Sequence, residues 1–167
     1  MNDQLITVSK QIKRALPRGE AVVAAESLTA GMVQSALASV SGSSAYFLGG
    51  LTVYTLEQKV KLLKVNRTHA QRVNCVSPRV AYEMARGAQK LFGATYGIAT
   101  TGYAEPWPEK GIMTPFAYYS VRTPTGSSWD GRVEFEKVLS RNEMREAVAL
   151  AALNSFLHVL DVLNTKG

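Results

Sequence analysis

Two short runs of small apolar residues constrain this chain more than anything else in it. They are AVVAA at 21–25 and YGIATT at 96–101. Neither alternates apolar with polar residues, so each reads as a strand buried on both faces. Helical periodicity surrounds them. Residues 3–16 place Leu5, Ile6, Val8, Ile12 and Leu16 near helical spacing, and Pro17-Arg18-Gly19 stops the run. A second helix is expected from Thr29, with Met32, Val33, Ala36 and Leu37 on one face. AYFLGGLTVY (45–54) reads as a strand whose glycine pair marks a bulge or a close approach. Residues 55–63 suit a short helix carrying Lys59.

A longer helix follows, with Ser77 at its N-cap, Pro78 at its first position and Gly93 closing it. PFAYYSVRT (115–123) and SSWDGRVEFEKV (127–138) read as two strands joined by a turn at PTG. The last helix spans about Asn142–Leu163 and is apolar nearly all round, which places it in the core or in a subunit contact. Strands that alternate with helices early and form a hairpin late imply an α/β domain, its mixed sheet lying between helical layers. Ligands in such sheets bind beyond the carboxyl ends of the strands. Two such ends are rich in hydroxyls, Glu26-Ser27-Leu28-Thr29 and Thr100-Thr101-Gly102.

The length of 167 residues favours one domain, 1–167. No apolar run looks clean enough to span a bilayer, the closest, Ala147–Leu163, being interrupted by Asn154, Ser155, His158 and Asp161. The N-terminus lacks the order of a secretory signal. The single cysteine, Cys75, excludes an internal disulfide and fits a reducing compartment. A cytoplasmic protein with no membrane partner is the expectation. The formal charge of +6 suits either nucleic acid or small anions. Its basic residues are scattered, apart from a loose group at Lys10, Lys13, Arg14 and Arg18, and no nucleic-acid motif is present. A small anionic ligand is therefore expected rather than nucleic acid. No His, Cys and carboxylate set has metal-ligand spacing, and neither metal nor cofactor is expected.

Ser27 admits two readings. A serine between a strand and a helix is usually a cap. It becomes a nucleophile only with a base. His158 lies within the packed last helix and His69 in the polar connection NRTHAQR, so neither suggests a triad. A lysine could serve if burial or a neighbouring cation lowered its pKa from about 10.4 to about 7–8. Lys59 is the candidate, although Lys59, Lys61 and Lys64 read equally well as one solvated face. Glu26 could hold Ser27 or Lys59, or simply accept backbone donors. Cys75 reads as a small packed residue.

Six ordered segments decide between these readings by resemblance. They are ESLTAG (26–31), SGSSAYFLGG (41–50), YTLEQK (54–59), VSPRVAYEMARGA (76–88), Thr101-Gly102 and Arg141–Arg145. Together they resemble the C-terminal domain of the CinA family of competence/damage-inducible proteins, over about residues 3–163. Members of that family include nicotinamide mononucleotide amidohydrolases. The resemblance implies a three-layer α/β/α sandwich with a mixed, mostly parallel sheet. It implies hydrolysis of the nicotinamide mononucleotide amide to nicotinate mononucleotide and ammonia. Ser27 would be the nucleophile, Lys59 its base, and Tyr54 a proton relay or stabiliser. Thr29, Ser44, Thr101, Gly102 and Arg141 would bind substrate, Arg141 through its phosphate, or Arg141 would depress the lysine pKa. A homo-oligomer, a dimer or higher, is expected from the apolar last helix.

The chain departs from the family pattern at two places. Leu28 and Ala30 stand where the family has cysteine and glycine. After Thr101-Gly102 the family's glycine-rich loop is replaced by YAEPWPEKG (103–111), which sets Glu105 where a phosphate is expected and fills the loop with Trp107 and two prolines. Lys110 could offset Glu105 if it reached in. These departures keep open an alternative, a weakly active or inactive relative that binds a nucleotide or a partner.

Overall fold

The computed structural model describes residues 2–136 and 139–165. Its elements run α1 (Asp3–Ala15), β1 (Val22–Glu26), α2 (Met32–Ala38), β2 (Phe47–Thr52), α3 (Leu56–Leu63), α4 (Arg67–Arg72), α5 (Pro78–Phe92), β3 (Tyr96–Gly102), β4 (Phe116–Arg122), β5 (Ser128–Glu134) and α6 (Arg141–Asn164). The sheet order is β2-β1-β3-β4-β5. β1 lies parallel to both β2 and β3, whereas β3–β4 and β4–β5 are antiparallel. The expected mixed sheet is present, but only two of its four pairings are parallel, because the chain reverses through residues 103–115 after β3 and again through a tight hairpin after β4. Of the predicted final strand, Lys137 and Val138 lie outside the described residues.

Alternation along β1 builds both halves of the core. Val22 and Ala24 face α1, α2 and α6, where Ile12, Leu37, Leu153 and Phe156 are buried. Val23 and Ala25 face the other layer, with Leu63, Ala70, Val80 and Met84. Every residue of β1 is buried, as its unbroken apolar run requires. Small side chains there let helices approach from both sides.

The glycine pair in β2 is a bulge and a close approach at once. The register shifts between Val22 and Val23, Gly49 takes φ +120°, and a Cβ on Gly50 would lie 2.5 Å from the Ala24 carbonyl. α4 was not expected. Its six residues carry no apolar stripe, and its start is fixed instead by Asn66, whose side chain accepts from the His69 amide. α6 corrects two expectations. Its 24 residues are long and apolar enough, by length and composition, to cross a membrane. In the fold it packs instead on α1 and the sheet, burying Met144, Val148, Leu153, Phe156 and Leu160. His158 points from its exposed face and is not a core residue.

Glu26 ends β1 and starts α2. Its carboxylate is fully buried and accepts from the amides of Gly31, Val33 and Gln34 and from the Thr29 hydroxyl, at 2.6–3.1 Å. Of its possible roles, accepting backbone donors is the one it fills, at the positive end of a helix. The helix consequently begins at Met32, three residues beyond the predicted Thr29. Glu26→Ala strips three amides of their acceptor and is expected to cost at least about 3 kcal/mol, read by urea denaturation.

Candidate active site

The strand ends converge as the topology demands. Glu26 pairs with Thr100 in the β1–β3 register, and the Ser27 amide donates to the Thr100 carbonyl at 3.0 Å. A cleft of about 600 Å³ opens beyond them. Its floor holds Ser27 and Lys59; Tyr54, Cys75, Thr101, Trp107 and Arg141 are among its walls.

Lys59 is not part of a solvated face. It is 1 % exposed, and its Nζ lies 3.0 Å from Ser27 Oγ, 2.8 Å from the Val53 carbonyl and 3.1 Å from the Tyr54 carbonyl. α3 explains the placement. Thr55 caps it, and the helix returns Lys59 over the chain segment that leaves β2. Burial lowers the pKa of Lys59 from an ordinary 10.5 to about 8, and Cys75 opposes that shift weakly by favouring the ammonium. Carbonyls can only accept, so both must be met by N–H bonds. A neutral amine then has one lone pair left, and it faces the Ser27 hydroxyl. A protonated amine has three donors for the same three oxygens. Both forms of Lys59 are therefore satisfied in place.

Ser27 is 8 % exposed, buried enough to be shielded yet open to the cleft. The amides of the next two residues, Leu28 and Thr29, have no acceptor among the described residues. Arg145, from α6, donates to the carbonyls of Leu28 (3.1 Å) and Thr29 (3.2 Å). A trans peptide points its N–H away from its C=O, so gripping the Leu28 carbonyl aims the Thr29 amide away from Arg145. In the sequence Arg145 stands out only as the end of the Arg141–Arg145 segment. Its role depends on a contact across 117 positions that no local pattern carries. Arg145→Gln is expected to lower kcat about ten- to hundredfold with little change in KM, measured by steady-state kinetics.

The remaining predicted site residues divide. Tyr54 lines the cleft, but it is the Tyr54 carbonyl that touches Lys59. Its phenol accepts from Arg141 at 2.8 Å. Thr101 and Gly102 line the cleft; the Thr101 hydroxyl donates to the Cys75 carbonyl at 2.7 Å. A Cβ on Gly102 would come within 2.6 Å of Ala117 and Phe116, so only glycine lets β3 and β4 meet there. Thr29 is wholly buried and bonded to Glu26 and Thr100, away from the cleft lining. Ser44 lies in the 3-10 turn before β2, exposed and at the end of the sheet remote from Ser27.

Cys75 packs, as expected, against the core layer that holds Leu63, Val80 and Met84. It lines the cleft with φ +62°, next to Asn74 at φ +50°. Bonds from the Cys75 amide to the Ala70 carbonyl and from Thr101 to the Cys75 carbonyl hold this left-handed pair, at 2.7 Å each. Burial raises the thiol pKa, with Lys59 opposing. Among the described residues no three His, Cys, Asp or Glu side chains gather to hold a metal.

The rebuilt loop meets α6 at the cleft mouth. Arg141 donates to Glu105 at 2.7 Å as well as to Tyr54. Lys110 lies over the Trp107 ring, 5.7 Å from its centroid, and is not among the cleft-lining residues.

Comparison with known proteins agrees with this architecture. The family model of the CinA C-terminal domain matches residues 6–160. A CinA-like protein of Flavobacterium psychrophilum is 36% identical over 139 residues, covering 81% of this chain and 31% of its own length. A CinA-like protein of Desulforapulum autotrophicum is 39% identical over 111 residues, covering 64% of this chain and 26% of its own. The chain thus spans about a quarter to a third of these relatives. Among solved structures, the competence/damage inducible protein CihA of Agrobacterium tumefaciens superposes with a TM-score of 0.83 at 27% identity, covering 95% of this chain and 96% of that one. The competence damage-inducible protein A of Klebsiella pneumoniae gives 0.87 at 25% identity, covering 94% and 97%.

Proposed function

Because the chain belongs to the CinA family through its C-terminal domain, we propose that it is a Ser–Lys amidohydrolase acting on a pyridine carboxamide. The amide of nicotinamide mononucleotide is the substrate that the family resemblance suggests. The observation that carries this reading is the 3.0 Å contact between a buried lysine of lowered pKa and a cleft serine.

The steps follow from the arrangement. Neutral Lys59 takes the Ser27 proton as Oγ attacks the amide carbon. The Leu28 and Thr29 amides, without an acceptor among the described residues, would receive the oxyanion. The resulting ammonium keeps its two carbonyl partners and gives its third proton to the leaving nitrogen, so the C–N bond breaks with release of ammonia. Water then attacks the acyl-serine, Lys59 accepts its proton and passes it to the departing Ser27 Oγ, and the carboxylic acid released ionises, its proton going to ammonia. The balance is amide plus water to carboxylate plus ammonium.

Incubation with nicotinamide mononucleotide, followed by assays of ammonia and the carboxylate product, tests the reading. Equimolar release is expected. Ligand binding without release would favour the alternative, a nucleotide-binding relative. A cytoplasmic homo-oligomer belongs to the same proposal. α6 leaves Leu150 and Leu157 half-buried at its surface, and light scattering that shows a monomer at every concentration would remove that part.

A further inference from the structure

Resting on the amidohydrolase reading, we propose that the cleft selects a carboxamide whose ring carries no phosphate, a pyridinium nucleoside rather than its nucleotide. The selecting residue is Glu105. Two cationic side chains line the cleft among the described residues, Lys59 and Arg141. Lys59 is fixed on the floor, its donors committed to Ser27 and two carbonyls. Arg141 sits at the mouth, where a substrate's distal group would arrive, and is already neutralised by Glu105 at 2.7 Å. Lys110, the nearby loop cation, lies over Trp107 instead of the cleft.

A phosphate entering this mouth meets a guanidinium already paired with a carboxylate, and that carboxylate repels it. To use the remaining N–H donors of Arg141 it must lie beside the Glu105 carboxylate, which the ion pair holds there. The pair is half-exposed and weak in itself. Its effect is to cancel the field that would draw an anion in. The rest of the mouth favours the opposite charge. Tyr54, Tyr103 and Trp107 line it together with Glu105, and aromatic faces beside a carboxylate suit a cationic pyridinium ring.

The test uses Ser27→Ala protein, which holds ligand without turning it over, and calorimetric titration with nicotinamide riboside and nicotinamide mononucleotide. The nucleoside is expected to bind about tenfold or more tightly than the nucleotide. Glu105→Gln keeps the shape and removes the charge. It should tighten the nucleotide at least about fivefold and weaken the nucleoside, whose cationic ring loses the neighbouring carboxylate and faces an unpaired Arg141. A nucleotide that binds as well as the nucleoside, a ratio unmoved by Glu105→Gln, or no binding of either ligand overturns the proposal. Ammonia release by the wild-type protein is read separately. If Ser27→Ala binds with the expected preference and wild type releases nothing, the selectivity stands and the hydrolase reading fails.

Discussion

Ser27→Ala is expected to reduce ammonia release at least about 10³-fold while the fold is unchanged. The substitution removes one hydroxyl from a cleft floor and leaves the Glu26 cap, the Thr100 contact and the β1 register untouched. No other hydroxyl lies at hydrogen-bond distance from Lys59 among the described residues, so no substitute nucleophile is in place. A secondary effect has a definite sign. The Lys59 ammonium loses one of its three acceptors, which disfavours the charged form, and its pKa should fall below about 8. Loss of activity together with an unchanged urea midpoint and a lowered lysine pKa is the full expected pattern. Activity that survives in Ser27→Ala would remove the nucleophile assignment.

Lys59→Arg should be nearly as damaging, about 10²- to 10⁴-fold, because a guanidinium cannot give up its proton. The wild-type pH profile carries the same information. Only neutral Lys59 accepts a proton, and with a pKa of about 8 roughly a tenth of it is neutral at pH 7. The rate should climb nearly tenfold per unit below pH 8 and flatten above it. A chemistry-limited rate that is flat from pH 6 to 9 would exclude Lys59 as the base. Stability is linked to the same group. Its pKa is about 8 folded against 10.5 for an ordinary lysine, so between those values the unfolded chain binds more protons. Lys59 therefore adds stability as pH rises through that window, up to about 3 kcal/mol, and the gain is lost again as pH falls to 8.

The parts of this molecule that sequence made legible are those written in local chemistry. β1 and β3 follow from unbroken apolar runs, α5 from its Ser77 cap and Gly93 stop, and the β2 bulge from its glycine pair. α4 escaped because a cap at Asn66, not periodicity, creates it. His158 was misplaced because a helix apolar nearly all round does not reveal which side meets solvent. Lys59 looked like its neighbours Lys61 and Lys64 and was separated from them only by family resemblance, since its Nζ is buried by the segments that follow β1 and β2, at Ser27, Val53 and Tyr54. Thr29 shows the reverse limit: the motif singles it out, yet the structure spends its hydroxyl on Glu26 and Thr100. The Glu105–Arg141 pair spans 36 positions and joins a loop to a helix start, a contact no spacing rule describes.

The two carbonyls that hold Lys59 belong to the main chain, at Val53 and Tyr54. Main-chain atoms keep their identity whatever side chains are exchanged around them. Wall residues that do not touch Lys59, Trp107 and Glu105 among them, are thereby separated from the proposed base, whose setting can be carried through replacement of the surfaces proposed to choose the substrate. A library randomised at the mouth should retain turnover on some amide in many of its members, with preference drifting freely while the chemistry stays where the backbone put it.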